Sequence, residues 1–405
     1  MANILSWEDL SELQANDIDR INGITNSYAN LRLFGYKESE AKLIFYRDRH
    51  AWCPYCQKIW LWLELKQIPY KIEKINMFCY GKKEPWFLEK VRSGKLPAIE
   101  LNGKIITESD EIIYFLERNF GFLGTSINAI EFQETRRIER DIFRNWCEWL
   151  CRRQSIFSPI DNRKINFKQS LQRLEDLLEK SESGFIDPFY DSNGILRPGT
   201  GDIIFIPYLE RINASLCYYK GFDLRNNFPL INVWFSLLEK EKAYLGTQGD
   251  FHTHSHDLPP QMGGCFTEIN EKQIYFSKSI DHGTGLGNLE LNQELDYEYY
   301  SRFALMRVIK HKERIISINP SDNEVFDIAL RSALTFMVNN EINIPESCCG
   351  KGLRYLRDRI SVPRDMPLIS ARILRQSLEK IASFDKSNET CPIPINHRYD
   401  QNPKD

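Results

Sequence analysis

The chain has 405 residues, 42% of them hydrophobic and 27% charged, which is ordinary for a globular protein with two or three domains. A formal net charge of −3 provides no electrostatic footprint for nucleic acid, so no nucleic-acid partner is expected. No apolar run reaches membrane-spanning length, and ten scattered cysteines with an acidic N-terminus predict reduced thiols in a cytoplasmic protein.

The first 122 residues alternate between strand and helix patterns. An N-terminal extension, residues 1–41, carries a short helical stripe that we expect to dock on the body of the protein (Trp7, Leu10, Leu13, Ile18). Residues 42–122 predict a β-α-β-α-β-β-α unit, with strand Lys42–Arg47, a helix to about Gln67, strand Lys71–Asn76, helix Glu84–Arg92, strands Pro97–Leu101 and Lys104–Thr107, and helix Ser109–Phe120. The last two strands form a hairpin because Asn102-Gly103 favours a type I′ turn.

The rest of the chain loses the strand pattern. Residues 130–250 predict a helical domain with helices at Glu131–Phe157, Phe167–Lys180, Asp202–Tyr219 and Leu230–Tyr244. Prolines and glycines make residues 251–264 a predicted loop. An additional helical region, residues 255–385, has amphipathic stretches at Leu295–Ile315, Asn323–Val338, Gly352–Arg359 and Met366–Ile381, and residues 386–405 form a loose tail. The fold class is therefore α/β plus all-α.

The run Trp52-Cys53-Pro54-Tyr55-Cys56 lies between a predicted strand and a predicted helix. Its first sulfur is therefore at a helix N-terminus, where unpaired N–H groups and the positive end of the helix dipole favour a thiolate. Pro54 suits the first helical position. The motif indicates a redox or thiol-transfer nucleophile. The alternative is a structural cysteine pair or half of a zinc site, but the next hundred residues offer no matching Cys or His pair, and we expect no metal.

Four segments along residues 45–121 resemble the N-terminal, thioredoxin-like domain of glutathione S-transferases: Cys53-Pro54-Tyr55-Cys56, Lys83-Glu84-Pro85-Trp86-Phe87, Lys95-Leu96-Pro97-Ala98 and Thr107-Glu108-Ser109-Asp110. The resemblance is closest to the cysteine-type branches (omega, lambda and the dehydroascorbate reductases), with glutaredoxin more distant. Residues 130–250 fit the family's all-helical second domain, although Gly199 stands where the family keeps a Ser or Thr that caps a buried helix. Residues 255–405 lie outside the two-domain pattern.

The resemblance implies that glutathione is the co-substrate and that Cys53 is the catalytic nucleophile, which forms a mixed disulfide with glutathione. A second glutathione, or Cys56 from one turn further along the helix, then releases this disulfide, and the alternative for Cys56 is a small core residue. Pro97 would follow a cis peptide bond and expose the backbone of Leu96 for pairing with the cysteinyl part of glutathione. An ordinary trans proline is the alternative.

Three further residues would bind the ends of glutathione. By the same resemblance, Ser109 at a helix start would bind the γ-glutamyl carboxylate, and Glu108 would pair with the adjacent ammonium. Plain helix capping by Thr107 and Asp110 is the alternative for this segment. Lys83 would pair with the glycyl carboxylate, unless it is a solvated lysine.

These expectations lead to a glutathione-dependent thiol transferase or reductase that acts on dehydroascorbate or on glutathione mixed disulfides of small molecules or proteins. One alternative is glutathione conjugation to an electrophile, with Tyr46 or Tyr55 stabilising the glutathione thiolate, but a cysteine at position 53 disfavours it. The other alternative is a non-catalytic binding module with a pocket for an apolar ligand or a partner protein. A homodimer is left open.

Two charged motifs stand outside this scheme. In His252-x-His254-x-His256 the imidazoles would share one face of an extended segment, but the setting is a predicted loop and no acid or second cysteine completes a metal site. We therefore interpret it as a loop that lines the second-substrate pocket. The charges of Arg359–Asp365 favour a salt network between domains over an anion-binding site.

Overall fold

The fold was analysed in a computed structural model of the chain. It describes residues 4–16, 18–153, 161–283, 296–345, 349–387 and 389–401. No helix in these ranges is both long and apolar enough to cross a membrane.

A five-stranded mixed sheet forms the centre of the N-terminal part. Its strands are β1 (Leu31–Arg32), β2 (Leu43–Asp48), β3 (Tyr70–Ile75), β4 (Ala98–Leu101) and β5 (Lys104–Thr107). They lie in the order β1-β3-β2-β4-β5, with β2 and β3 parallel and the other neighbours antiparallel. Asn102 and Gly103 both have positive φ, as the predicted type I′ turn requires. The predicted β-α-β-α-β-β-α succession is confirmed, and β1 is an edge strand that the sequence did not predict.

Helices make up most of the remaining structure, together with a small hairpin of β6 (Phe189–Tyr190) and β7 (Leu196–Arg197). The described helices are α1 (Trp7–Glu12), α2 (Pro54–Lys66), α3 (Pro85–Lys90), α4 (Ser109–Phe120), α5 (Gln133–Cys151), α6 (Arg163–Glu179), α7 (Thr200–Lys220), α8 (Leu224–Asn227), α9 (Pro229–Leu238), α10 (Lys242–Thr247), α11 (Phe251–Met262), α12 (Glu271–Asp281), α13 (Tyr297–Ser317), α14 (Asn323–Asn339), α15 (Gly350–Arg357) and α16 (Leu368–Ala382).

The largest apolar core joins the sheet, α2 and α4 to the helices α5 to α9. Helix α7 runs through it and is buried along almost its whole length. Its start is held by Asp202, whose carboxylate accepts hydrogen bonds from the backbone N–H groups of Gly199 and Ile186 at 3.1 and 2.8 Å. A Cβ at Gly199 would lie 2.0 Å from the Asp187 carbonyl oxygen, which explains why no Ser or Thr stands there.

A second core is formed by α13, α14, α15 and α16. The N-terminal stripe docks on it as expected: Leu10 is fully buried there, and the Trp7 indole Nε1 donates to Asp327 Oδ1 at 2.7 Å. Two predicted helix limits, the end at Phe157 and the start at Leu295, lie outside the described residues. The predicted helix Leu230–Tyr244 is divided into α9 and α10.

The loop predicted at residues 251–264 is wrong, because this segment forms helix α11. The Asp250 carboxylate caps the helix by accepting the Thr253 N–H at 2.9 Å. Pro259 has no N–H to donate to the Ser255 carbonyl one turn earlier, and the Tyr219 hydroxyl donates to that carbonyl instead at 2.9 Å. A tertiary contact thus satisfies a backbone group that the proline leaves unpaired. Helix α12 was also not predicted.

The segment 361–365, which we call the 361–365 loop, connects distant parts of the chain. Its backbone accepts hydrogen bonds from Ser27 Oγ at 2.7 Å and Arg307 Nε at 2.7 Å, and the Val362 N–H donates to Thr253 Oγ1 at 3.0 Å. Arg364 pairs with Asp365 at 2.7 Å, and Arg359, just before the loop, pairs with Asp400 at 3.1 Å. Of these charges, Arg359 pairs with the end of the chain, whereas Arg364 and Asp365 pair with each other inside the loop.

Replacing Asp365 by Asn tests how much this loop contributes to stability. Burial alone would raise the pKa of Asp365, but the Arg364 guanidinium and the Ser361 N–H hold it below its ordinary value. Its stabilising contribution is therefore present above the unfolded-state pKa near 4 and is lost as the pH falls. We expect Asp365→Asn to lower the free energy of unfolding at pH 7 by about 1–3 kcal/mol.

Urea denaturation of both proteins between pH 3 and 7 measures this difference, which should shrink below about pH 4. Asp322→Asn is a suitable control, because Asp322 caps α14 and Asn caps a helix equally well. A deficit for Asp365→Asn that does not change with pH would contradict the electrostatic explanation.

Candidate functional site

Cys53 occupies the N-cap position of α2, with extended backbone, and Pro54 is the first helical residue, as the sequence predicted. Because α2 directly follows β2 across a short turn, the sulfur lies at the carboxyl end of the central strand. Only 6% of the Cys53 surface is exposed, and this residue lines a cleft. The N-cap position places Cys53 at the positive end of the helix dipole, and its side chain accepts no capping hydrogen bond from α2.

Two buried side chains hold the turn that leads into Cys53. The Asp48 carboxylate Oδ2 accepts the backbone N–H groups of Trp52 at 2.6 Å and Cys53 at 3.1 Å. On the other side, the Arg211 guanidinium donates to the Trp52 carbonyl, and its carbon lies 4.9 Å from the centre of the indole ring. Arg211 also interacts electrostatically with Cys53 and Asp48. Neither side chain was expected at the site, because Asp48 belongs to a strand and Arg211 to a helix, and the two are 163 residues apart in the chain.

Cys56 lies behind Cys53, and only 1% of its surface is exposed. One ligand atom from each of Asp48, Cys53 and Cys56 lies within 4.8 Å of the others. Burial and a hydrogen bond with Cys53 raise the pKa of the Cys56 thiol well above its usual value. Cys56 is therefore protonated at neutral pH.

The cleft beside Cys53 has a volume of about 410 Å³. Three predicted site residues line it: Cys53, Lys83 and Leu96. The other lining residues come from the loop after β3, from the end of α11 and from the end of the chain (Met77, Phe78, Cys79, Pro260, Gln261, Asn396, His397, Tyr399). The cleft is therefore built from both halves of the sequence.

Lys83 lies in this cleft rather than in free solvent. Its ammonium donates to the Gly94 carbonyl and lies 5.2 Å from the centre of the Phe78 ring. Burial lowers the pKa of Lys83, while the Asp48 and Glu84 carboxylates act in the opposite direction. A partly buried ammonium at the rim of a cleft is suited to pairing with an anionic group of a ligand.

The remaining predicted residues lie just before β4 (Pro97) and at the start of α4 (Glu108, Ser109). The Leu96–Pro97 peptide bond is cis, as the resemblance implies. Ser109 is the first residue of α4 and is buried, whereas Glu108 is exposed and pairs with Lys95 at 3.1 Å. Neither Glu108 nor Ser109 is among the described residues that line the cleft.

The two tyrosines considered for the conjugation alternative are poorly arranged to stabilise a thiolate. The Tyr46 hydroxyl donates to Glu100 at 2.7 Å and accepts from Lys90 at 2.9 Å, so its single O–H donor is already used. Burial raises the pKa of Tyr55, and its ring packs edge-on against Tyr208.

The end of the chain, residues 396–401, forms one wall of the cleft, and we call it the C-terminal segment. Arg398 is 1% exposed; its backbone N–H donates to the Cys79 carbonyl at 2.7 Å, and its guanidinium pairs with Asp257 at 2.7 Å. These contacts hold the flanking His397 and Tyr399 with their rings stacked 4.2 Å apart. The prediction of a loose tail is therefore wrong for this segment. Its composition carried no signal, because Asp257 is 141 residues away in the sequence.

Comparison with known proteins adds the following. Residues 52–119 match the family model described as glutathione S-transferase, N-terminal domain. Glutathione S-transferase DHAR2 of Arabidopsis thaliana is 40% identical over 196 residues, which cover 48% of this chain and 84% of the relative. Glutathione S-transferase L3 of Arabidopsis thaliana is 27% identical over 199 residues, which cover 49% and 79%. A solved dehydroascorbate reductase from Chlamydomonas reinhardtii aligns with a TM-score of 0.41 and 21% identity, covering 51% of this chain and 91% of that one.

Proposed function

The chain belongs to the glutathione S-transferase family, and we propose that it is a glutathione-dependent thiol transferase or reductase with Cys53 as its nucleophile. One observation carries this proposal: the Cys53 residue at the start of α2 lines a cleft beside Lys83 and Leu96. A thiol at a helix N-terminus and next to a binding cleft is the arrangement that a cysteine nucleophile requires.

Glutathione would bind along the cleft with its thiol next to Cys53. In this proposal the Leu96 backbone pairs with the cysteinyl part and Lys83 with the glycyl carboxylate. The N-terminus of α4 at Ser109 binds the γ-glutamyl carboxylate, and Glu108 binds the ammonium. The Glu108–Lys95 ion pair is exposed and therefore weak, so a ligand ammonium can replace Lys95.

The proposed reaction is two successive thiol–disulfide exchanges. The Cys53 thiolate attacks the glutathionyl sulfur of a mixed disulfide; the new S–S bond forms, the old one breaks, and the released thiolate takes up a proton. A second glutathione thiolate then attacks the sulfur of glutathione in the Cys53 adduct, which releases glutathione disulfide and regenerates the Cys53 thiolate. With dehydroascorbate, the Cys53 thiolate instead adds to a carbonyl carbon of the substrate, and a glutathione thiolate then attacks the Cys53 sulfur, which breaks the C–S bond, releases ascorbate and leaves the Cys53–glutathione disulfide. A second glutathione reduces this disulfide as above, so two glutathione molecules supply the two electrons and two protons.

The dimensions of the cleft favour a small second substrate. A volume of about 410 Å³ is in the range of small-molecule sites, and the C-terminal segment covers one side of it. His397 and Tyr399 would contact the second substrate from this side. We therefore propose dehydroascorbate or a small mixed disulfide, rather than a folded protein, as the partner of glutathione.

The proposal also includes the organisation and location of the protein. We propose the domain limits 1–41, 42–122, 130–250, 255–385 and 386–405; the separate apolar core of α13 to α16 supports a distinct region after residue 255. The chemistry requires reduced glutathione and free thiols, and all nine cysteines that the structure describes are free. A reducing compartment such as the cytoplasm is the proposed location.

Replacing Cys53 by Ser should reduce turnover of a glutathione mixed disulfide to the uncatalysed level, because a serine hydroxyl is not ionised at neutral pH. Glutathione binding, measured by calorimetry, should change little. Cys79→Ser is the matched control, since Cys79 lines the same cleft and should be dispensable. Undiminished turnover by Cys53→Ser, or turnover of an aryl halide electrophile in preference to the disulfide, would contradict the proposal.

Cys56→Ser separates a one-thiol route from a two-thiol route. Because the Cys56 thiol is buried and its raised pKa keeps it protonated, it is a poor nucleophile toward the Cys53 adduct. We expect kcat to stay within about threefold of the wild type, with a second glutathione completing the cycle. A loss of more than about tenfold, in a variant with unchanged thermal stability, would show that Cys56 takes part in turnover.

Tyr399→Ala tests the role of the C-terminal segment. Loss of a ring at the cleft wall should raise the KM for the second substrate by about tenfold, equivalent to roughly 1.4 kcal/mol of binding. The KM for glutathione should change little, because its proposed contacts lie elsewhere. Tyr190→Ala, at a residue that is 72% exposed, is the control. Equal changes in both KM values, or in neither, would argue against this role.

A further inference from the structure

A second group of ligating side chains surrounds α11, separate from the residues that line the cleft. His252 and His256 are four residues apart and therefore lie on the same face of this helix. Asp281, the last residue of α12, approaches the same face. One ligand atom from each of these three residues lies within 4.8 Å of the others. The sequence motif contains no acid near its histidines, but the helical geometry of the folded chain brings the Asp281 carboxylate next to two of them.

Asp358, directly after α15, lies beside His252 of this group. Its Oδ1 lies 3.8 Å from His252 Nε2, and Asp281 Oδ1 lies 2.8 Å from His256 Nε2. Around a tetrahedral zinc ion with bonds of about 2.0–2.1 Å, neighbouring ligand atoms are separated by roughly 3.3 Å. The two observed distances lie on either side of this value, and the cluster in which all ligand atoms lie within 4.8 Å comprises His252, His256 and Asp281, so Asp358 must move closer to the other ligands to complete the site.

The environment of His252 gives evidence that is independent of these distances. The residue is 97% buried, since its exposed fraction is 3%, and no hydrogen-bond partner reaches its Nε2 in the part of the chain that the structure describes. A buried, unpaired imidazole nitrogen costs free energy comparable to a lost hydrogen bond. This nitrogen lies 3.8 Å from Asp358 Oδ1, which is too long for a hydrogen bond but suitable for a shared metal ion.

The acids in this group are held in place by further partners. The Tyr218 hydroxyl donates to the second oxygen of Asp281 at 3.1 Å, and its ring packs against His256 with centroids 5.1 Å apart. Arg357 donates to Asp358 Oδ1 at 2.7 Å and also pairs with Glu379, so the Glu379 carboxylate offsets the positive charge of Arg357. Partners of this kind orient the ligands in protein metal sites and keep them ready for binding.

We propose that His252, His256, Asp281 and Asp358 form a zinc site. Two neutral imidazoles and two carboxylates balance the charge of a divalent ion and supply the nitrogen and oxygen ligands that zinc accepts. Four protein ligands leave no position for substrate, so the ion is structural. It links α11 and α12 to the segment after α15, and thereby joins the glutathione S-transferase-like half of the chain to its C-terminal region.

Zinc binding to the full chain, purified without a histidine tag, tests this proposal. The protein is stripped with a chelator and titrated with zinc chloride against a chromophoric competitor. We expect the wild type to bind one equivalent of zinc. The affinity for zinc should fall at least about 100-fold in His256→Gln and in Asp281→Asn, and about 10–100-fold in Tyr218→Phe. His254→Gln is the matched control, because His254 is buried on the same helix but faces Glu210.

Two further measurements keep the test decisive if a variant folds poorly. Cobalt substituted into the wild type should give the absorption of a tetrahedral ion without a thiolate charge-transfer band, which excludes binding by cysteines. Removal of zinc should also lower the melting temperature of the wild type. Wild-type protein that binds no zinc in the titration, or zinc that His256→Gln and Asp281→Asn retain at full affinity, would overturn the proposal.

Discussion

The position of Cys53 depends on two buried charges of opposite sign on either side of one peptide turn. Asp48 accepts the N–H groups of Trp52 and Cys53, and Arg211 donates to the Trp52 carbonyl. Hydrogen bonds to charged groups contribute about 1.5–3 kcal/mol each, enough to hold Ala51 in its left-handed conformation in the same turn. Asp48 ends a strand and Arg211 lies within α7. The helical part of the chain therefore helps to position the Cys53 thiol, which directly follows the sheet strand β2.

The same interdependence applies to the cleft. Its floor comes from the thioredoxin-like unit, but one wall comes from the C-terminal segment, which is fastened by Arg398 to Asp257 and by Asp400 to Arg359. The 361–365 loop binds the N-terminal extension, α13 and α11 together, and Arg364 also contacts Gln401 in the C-terminal segment. The regions outside the matched N-terminal domain therefore help to build the site, and they distinguish this cleft from one formed by two domains alone.

Rules that depend only on neighbouring residues predicted the β-α-β-α-β-β-α unit of residues 42–122 well. The alternating strands, the Asn102-Gly103 turn and the helix after Cys53 depend on neighbouring residues, so their pattern is visible in the sequence. The cis bond before Pro97 and the identity of the cleft residue Lys83 came from the resemblance and not from composition. Where local rules failed, a distant residue decided the outcome. Helix α11 survives its prolines because Tyr219 donates to Ser255, and no pattern within residues 251–264 could reveal that contact.

The missed site residues have the same explanation. Asp48 and Arg211 are 163 residues apart, and Arg398 meets Asp257 across 141 residues, so neither pair forms a motif. The histidine motif shows the effect most clearly. When it is considered as a loop, it contains no acid, but once it is a helix, His252 and His256 share a face that Asp281 and Asp358 approach. The role of a buried charged residue in a long chain is thus difficult to predict from the sequence until its partner in the folded structure is known.

The most direct test of the account is to expose the native protein to glutathione disulfide, quench with acid and locate the adduct by mass spectrometry of its peptides. The account predicts one glutathione per chain, attached to Cys53, with Cys56 unmodified. Modification of Cys79 alone, which lines the same cleft, or no adduct on the folded protein while the unfolded chain reacts at all its cysteines, would contradict it.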